Sequence, residues 1–325
     1  MRAAAGASPP SPTTTVDPVI ILFGLGVGIL IGLTGVGGGS LMTPLLLIVG
    51  GYSPVVAIGT DLAYGAITKT VGGWRHLRAG HVDLRLSWWL AAGSVPGSLL
   101  GVLAVNRLHA TYGDGFEPVL LALVAGALML ASAATLYRAM FRPGLVAAER
   151  HSALLEGHIS KAGTVAAGAL LGFILGMTSV GSGALIGLAL ILLYRLSPRR
   201  VVGTDVFHAA VLLWTAGLAH GASGNVDLVL MATILIGSLP GVWIGTALTP
   251  YVPVAGLRHG LGVVLAAAAL GVLSKAGVSV SPLAIVGVPA LLGLLSFVVH
   301  RRRAAARAGA RRRDGRAPAP AADRA

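Results

Sequence analysis

Apolar residues along this chain are gathered into runs at 18–33, 41–50, 55–71, 84–105 and 118–137, and again at 162–177, 184–194, 201–219, 228–248, 256–273 and 282–300. A helix needs roughly 20 apolar residues to cross hydrocarbon. The longer runs therefore predict membrane-spanning helices, and the first two runs of each half, individually short, predict half-helices. Between the short runs lie 35–39 and 179–183, rich in glycine and serine. Lipid cannot solvate irregular backbone, so these breaks must be buried in protein or face a polar cavity. The pattern predicts an all-α membrane protein, a polytopic helical bundle with broken Gly-rich half-helices.

The two halves repeat each other at a constant offset of 144 residues, as Asp205 against Asp61 illustrates. Without a gap, this offset carries Gly32–Leu41 onto Gly176–Leu185, Ser53-Pro54 onto Ser197-Pro198, Gly59-Thr60-Asp61 onto Gly203-Thr204-Asp205, and His76 onto His220. It continues through Val82-Asp83 with Val226-Asp227 to Gly93-Ser94, Pro96-Gly97 and Gly101 with Gly237-Ser238, Pro240-Gly241 and Gly245. Between Gly24 and Gly101, 27 of 78 positions are identical, and they are concentrated in Gly, Pro, Thr and Asp, so biased composition does not explain the register. Duplicated halves, each interrupted by glycine near the start of a hydrophobic run, are the pattern of a transporter with its substrate between the repeats.

Composition narrows the class. A mean hydropathy of +0.84 with 11% charged residues excludes a water-soluble globule, whose surface needs roughly a quarter of the chain charged. The absence of cysteine removes disulfides, thiol catalysis and Cys-based metal sites. The formal charge of +13 is crowded into one tail by Arg301, Arg302, Arg303, Arg307, Arg311, Arg312, Arg313 and Arg316. A basic block directly after a hydrophobic segment marks a cytoplasmic end against anionic membrane lipid rather than a nucleic-acid site. Residues 1–17, rich in Pro, Ser and Thr with a single Arg, read as a disordered tail without a cleavable signal.

Equivalent loops carry swapped charges. Arg75, Arg78 and Arg85 surround 73–83, whereas 217–227 has no Lys or Arg; Arg195, Arg199 and Arg200 surround Ser197-Pro198, whereas 51–55 has none. Under the positive-inside rule, matched loops then lie on opposite sides of the membrane, and the repeats are inverted. With each short pair read as a hairpin, the prediction is seven crossing helices and two hairpins, a periplasmic N-terminus and a cytoplasmic C-terminus. The predicted organisation is a tail at 1–17, repeat 1 at 18–140, a cytoplasmic linker at 141–161, repeat 2 at 162–299 and a basic cytoplasmic tail at 300–325.

The two Gly-rich signatures, the two Gly-Thr-Asp triplets and the duplicated Gly-Ser-x-Pro-Gly segments resemble the sulfite exporter TauE/SafE family of membrane permeases over about 19–295. The resemblance implies a multi-pass inner (plasma) membrane transporter, an exporter of sulfite, a sulfonate or a related sulfur-containing anion, with no enzymatic activity and no cofactor. One departure is Ser179 and Ser182, where the first repeat has Gly35 and Gly38. The two half-sites cannot be chemically equal.

Glycine at a helix break permits close approach to a ligand, and the helix that follows presents free N–H groups and a positive dipole end. Together they form an anion cradle that needs no cationic side chain. The candidate substrate-binding residues are therefore Thr34, Gly35, Gly37, Gly38, Gly39 and Ser40 with Thr178, Ser179, Gly181, Ser182 and Gly183. For Gly24, Gly28 and Gly32, and for Gly168, Gly172 and Gly176, spacing by four favours close helix packing instead. Asp61 and Asp205 sit inside hydrophobic runs, where a carboxylate is costly unless paired or hydrated. With Thr60 and Thr204 they are candidates for proton coupling or for supporting the cradle, the alternative being a helix cap after Pro54. Lys69 is expected to snorkel to the Arg75 boundary, and His208 to be a hydrogen-bonded core residue. Two rival functions remain open on these residues. One is a cation or metal permease using Asp61, Asp205, His76 and His220; the other is an integral membrane lipid phosphatase, which would need an acid, base or nucleophile clustered with arginine near an interface, whereas the glycine breaks are expected to lack arginine.

Overall fold

The computed structural model describes residues 17–34, 38–141, 160–194, 196–248, 251–252 and 254–313. The predicted N-terminal tail but for Asp17, most of the predicted linker, and Gly35 and Gly37 of the first break lie outside the described residues.

The described residues form α1 (Pro18–Thr34), α2 (Gly39–Ile48), α3 (Pro54–Arg78), α4 (Leu84–Tyr112), α5 (Glu117–Phe141), α6 (Lys161–Thr178), α7 (Leu185–Leu192), α8 (Pro198–Ala222), α9 (Leu228–Leu248), α10 (Val254–Lys275) and α11 (Pro282–Arg313). Repeated local sequence produces repeated local structure. Both α3 and α8 start with an extended serine, Ser53 or Ser197, followed by proline at the first helical position, where its missing N–H and fixed φ cost nothing. Both α4 and α9 open under an aspartate: Asp83 accepts from the Leu86 N–H at 3.0 Å and Asp227 from the Leu230 N–H at 2.9 Å.

Among the described residues, five stretches are long and apolar enough to cross a membrane, and the first of them, Leu84–Met140, holds both α4 and α5. Several boundaries differ from those the sequence predicts. The α6 helix has 18 residues and meets the length and hydropathy of a crossing helix, so it is not a half-helix. Among the described helices, α2 and α7, with 10 and 8 residues, are the shortest, and α1, with 17, also falls below the crossing length. Helix α3 continues to Arg78, so Arg75 and Arg78 stand on its last turn rather than in a loop, because neither Gly72 nor Gly73 is followed by the turn chemistry that would end it. Arg138, just beyond the apolar run 118–137, lies in the last turns of α5.

The principal helix pairs are α1 with α9, α4 with α6, α3 with α8 and α5 with α10. All four pairs join a helix of the first half to one of the second. Exchanging the halves through the 144-residue offset turns α1–α9 into α6–α4 and leaves α3–α8 unchanged. The halves therefore interlock through all of their main contacts, and neither packs as a separate unit.

Glycine stripes make the two closest crossings. A Cβ on Gly28 would stand 2.4 Å from the Ser238 carbonyl oxygen, one on Gly172 2.2 Å from that of Ser94, and one on Gly93 1.9 Å from that of Val165. These contacts are backbone on backbone, and the packing role read from the four-residue spacing is observed. Even a methyl at Gly28 would have to displace α9.

Candidate functional site at the two helix breaks

The breaks meet each other in the interior. In the first, Thr34 ends α1, and Gly38 leads into α2 with an ordinary right-handed φ of −57°. Its glycines are required by proximity instead. A Cβ on Gly38 would reach the Ile31 and Tyr64 side chains at 3.0 Å, and one on Gly39 would stand 2.3 Å from the carbonyl oxygen of Ser179, the first residue of the other break. In the second break, Ser179, Gly181 and Gly183 adopt φ of 59°, 142° and 85°. The glycines take these values freely, whereas Ser179 holds a left-handed conformation that costs a non-glycine residue of order 1 kcal/mol. All residues from Gly176 to Gly187 are buried.

What keeps a serine at that position is Asp61. Asp61 is fully buried on α3, and its Oδ2 accepts from the Ser179 hydroxyl at 2.9 Å and from the Thr43 hydroxyl on α2. Its Oδ1 is buried with no hydrogen-bond partner among the described residues. One carboxylate thus ties α2 of the first half to the break of the second. Asp61 is not a helix cap, since α3 begins at Pro54.

Asp205 is set differently. Its Oδ1 accepts from the Gly183 N–H at 3.1 Å, and it faces a pocket of about 20 Å³, room for a water molecule. Thr34, Thr135, Gly183, Val201 and Val202 line this pocket together with two arginines, Arg138 and Arg258. Arg138 donates to the Gly183 carbonyl at 2.6 Å and acts electrostatically on Asp205. A side chain at Gly187 would collide with this guanidinium, 2.6 Å from where its Cβ would lie. The equivalent residue of the first half is Thr43, the donor to Asp61. Asp61 is therefore held by hydroxyls and Asp205 stands among guanidinium groups, an asymmetry that duplication alone does not predict.

The remaining predicted residues divide into those at the breaks and those elsewhere. Thr34 and Thr178 donate to the carbonyls of Leu30 and Ile174, each at 2.6 Å, closing the last turns of α1 and α6. Ser40 and Ser182 are buried, and the Ser40 hydroxyl has no partner among the described residues. Thr60 and Thr204 point away from the breaks. Their hydroxyls accept from the backbone N–H of Asp227 at 3.0 Å and of Asp83 at 2.9 Å, which fastens each half to the start of α9 or α4 in the order just given.

Two expectations about other side chains change. Lys69 does not snorkel: it is 6% exposed and its Nζ is buried. The breaks do not lack arginine, because the partners come from α5 and α10, distant in sequence. No spacing along the chain marks Arg138 or Arg258 as neighbours of Gly183; the available signal is an arginine directly after the run 118–137 and another in the first turns of the run 256–273. His208 is a buried core residue, its Nε2 3.1 Å from the Ser94 hydroxyl, and the equivalent pair in the other half is Tyr64 and Ser238. Among the described residues, Asp61, Asp205, His76 and His220 do not form a group able to hold a metal ion.

Comparison with known proteins agrees with this architecture. Residues 20–272 match the family described as Sulfite exporter TauE/SafE. A probable membrane transporter protein of Bacillus subtilis (strain 168), YjnA, is 38% identical over 231 residues, which cover 71% of this chain and 89% of that protein. A second protein of the same strain, YdhB, also described as a probable membrane transporter protein, is 27% identical over 72% of this chain and 91% of its own length. A probable membrane transporter protein of Xylella fastidiosa (strain 9a5c) is 30% identical over 72% of this chain and 86% of its own length. No solved structure matches the chain.

Proposed function

We propose a substrate and a working cycle for this chain, which belongs to the sulfite exporter TauE/SafE family and is a multi-pass membrane transporter rather than an enzyme. The substrate is a small sulfur-containing anion, sulfite or an organosulfonate, and the direction is export. The observation that carries this reading is the pocket at the second break, where Arg138 and Arg258 face Gly183 and Asp205. Planar guanidinium groups pair with oxyanions through several charge-assisted hydrogen bonds. Ser40 and Ser182, at the breaks, offer further hydroxyl donors, while the Thr34 and Ser179 hydroxyls already donate to the Leu30 carbonyl and to Asp61 and position the backbone beside them. Gly181 leaves the backbone of the second break open to the ligand. Gly35 and Gly37 have the same assignment in the first break.

In this cycle the repeats are inverted in the membrane and rock about the breaks. The arginine pocket opens to the cytoplasm, because Val201 and Val202, next to Arg199 and Arg200, line it. Asp61 carries the coupling proton: protonation weakens its hold on Thr43 and Ser179, which releases the second break from the first half. Thr60 and Thr204 keep the halves in register, and the basic end of α11 rests on anionic lipid of the inner leaflet.

The substrate test is flux of sulfite, sulfate, thiosulfate, taurine and sulfoacetate through purified protein in proteoliposomes. Sulfite or one of the sulfonates should cross faster than through protein-free vesicles, and radiolabelled divalent metal should not. Metal uptake without anion flux would instead establish the cation permease. Orientation has its own test, free of background because the chain has no cysteine. A cysteine replacing exposed Arg78 should react with an impermeant maleimide only from the cytoplasm, and one replacing exposed Ser223 only from outside. Reaction of both from one side would rule out inverted repeats.

A further inference from the structure

Lys69 is a strongly basic group in the buried part of α3 that the proposed cycle leaves without a task. It is 6% exposed, and its ammonium nitrogen has no hydrogen-bond partner among the described residues. Its surroundings are set by helix spacing. Gly65, Lys69, Gly72 and Gly73 lie on one face of α3, at intervals of four, three and one. That face meets α8: side chains added at Gly65, Gly72 and Gly73 would touch Leu213, Val206 and Phe207. These pairings run antiparallel and place Lys69 level with residues 209–210, about one helical turn further along α8 than Asp205. The corresponding position of the second half, Leu213, is apolar. α3 and α8 are equivalent helices of the two halves, and in the inverted arrangement proposed above their crossing lies midway between the membrane faces, with Lys69 beside it.

An ammonium buried without a counter-charge is costly and is retained inside a membrane where a charged ligand passes. Asp205 acts on it electrostatically but gives its Oδ1 to the Gly183 N–H. The Lys69 ammonium carries three donors that need oxygen acceptors, and a small oxyanion supplies them. Resting on the anion reading above, we propose that Lys69 is an inner anion-binding residue. The substrate leaves the Arg138–Arg258 pocket, passes Asp205 and is held by the Lys69 ammonium in the α3–α8 seam, where access changes sides.

The test compares wild type with Lys69→Met and Lys69→Arg, using the five anions named above. Binding to detergent-solubilised protein is measured by calorimetry, and net flux and exchange are measured in proteoliposomes. Lys69→Met should bind the transported anion within about three-fold of wild type, since the arginine pocket is intact, and lose at least about ten-fold in both net flux and exchange. Its unfolding temperature should not fall, because methionine fills the seam without an unpaired charge. Lys69→Arg should recover part of the flux. Wild-type flux in Lys69→Met would overturn the proposal while leaving the anion reading standing. Flux lost together with a lowered unfolding temperature, and not recovered by arginine, would reduce Lys69 to a structural residue and overturn it as well. A folded wild type that neither binds nor moves any of the five anions would remove the anion reading itself, and the role of Lys69 with it.

Discussion

Asp61→Asn is expected to abolish flux driven by a pH gradient while preserving exchange of anion for anion. The carboxylate joins two elements that must separate if the halves are to rock: Thr43 on α2 and Ser179 at the opposite break both donate to its Oδ2. Hydrogen bonds to a charged group contribute about 1.5–3 kcal/mol each, so gaining a proton weakens the joint enough to shift a two-state equilibrium by ten-fold or more. Asparagine keeps one carbonyl acceptor for both hydroxyls and cannot cycle a proton. Gradient-driven flux should fall at least ten-fold and exchange should stay within about three-fold, the difference being the uncoupled proton step. Asp205→Asn should leave gradient-driven flux in place, because Asp205 accepts from Gly183 of its own half and does not join elements that must separate. Flux that still follows the gradient in Asp61→Asn and in the double variant would remove both aspartates from coupling. Ser179→Gly sharpens the test by restoring the residue type of the first repeat: it relieves the left-handed strain and deletes one of the two donors to Asp61.

The second large effect is expected at the arginines. Arg258→Gln removes a charge from the pocket, and loss of one or two charge-assisted hydrogen bonds should weaken anion binding by about 10- to 100-fold. Arg138→Gln should do more. Its guanidinium also donates to the Gly183 carbonyl at 2.6 Å and interacts with Asp205, so its removal leaves a buried carbonyl without that bond and Asp205 with one guanidinium fewer, at a cost of about 1–3 kcal/mol. Anion affinity by calorimetry and thermal unfolding in detergent separate the two. Arg258→Gln should lose affinity with little change in unfolding temperature, and Arg138→Gln should lose both. Adding Asp205→Asn to Arg138→Gln should recover stability without recovering affinity. If both single variants bind the anion as wild type does, the pocket is not its site.

The order of elements and the register of the two halves were legible in the chain because they depend on neighbours in sequence. Ser-Pro starts a helix, aspartate caps one, and a run of apolar residues seeks lipid wherever it occurs. The breaks were legible for the same reason: polar and glycine residues interrupting an apolar run cannot continue it comfortably in hydrocarbon. The packing role of the glycine stripes followed from the four-residue period of a single helix. The reach of α3 past Gly72 and Gly73 was not legible, since packing against α8 outweighs the modest cost of glycine in a helix.

The chemistry of the site belongs to the tertiary structure. Exchange symmetry makes every principal helix pair join the two halves, so the groups around each aspartate come from segments far apart in the chain. Asp61 meets Ser179 across 118 positions, and Arg138 reaches Gly183 across 45. The burial of Lys69 depends likewise on α8 lying over it rather than on its distance from Arg75. Helix type and helix ends are decided by short-range sterics and by solvation of the local backbone, which residue identities express directly. Which charges compensate one another is decided by how the helices interlock, and spacing along the chain carries no record of that.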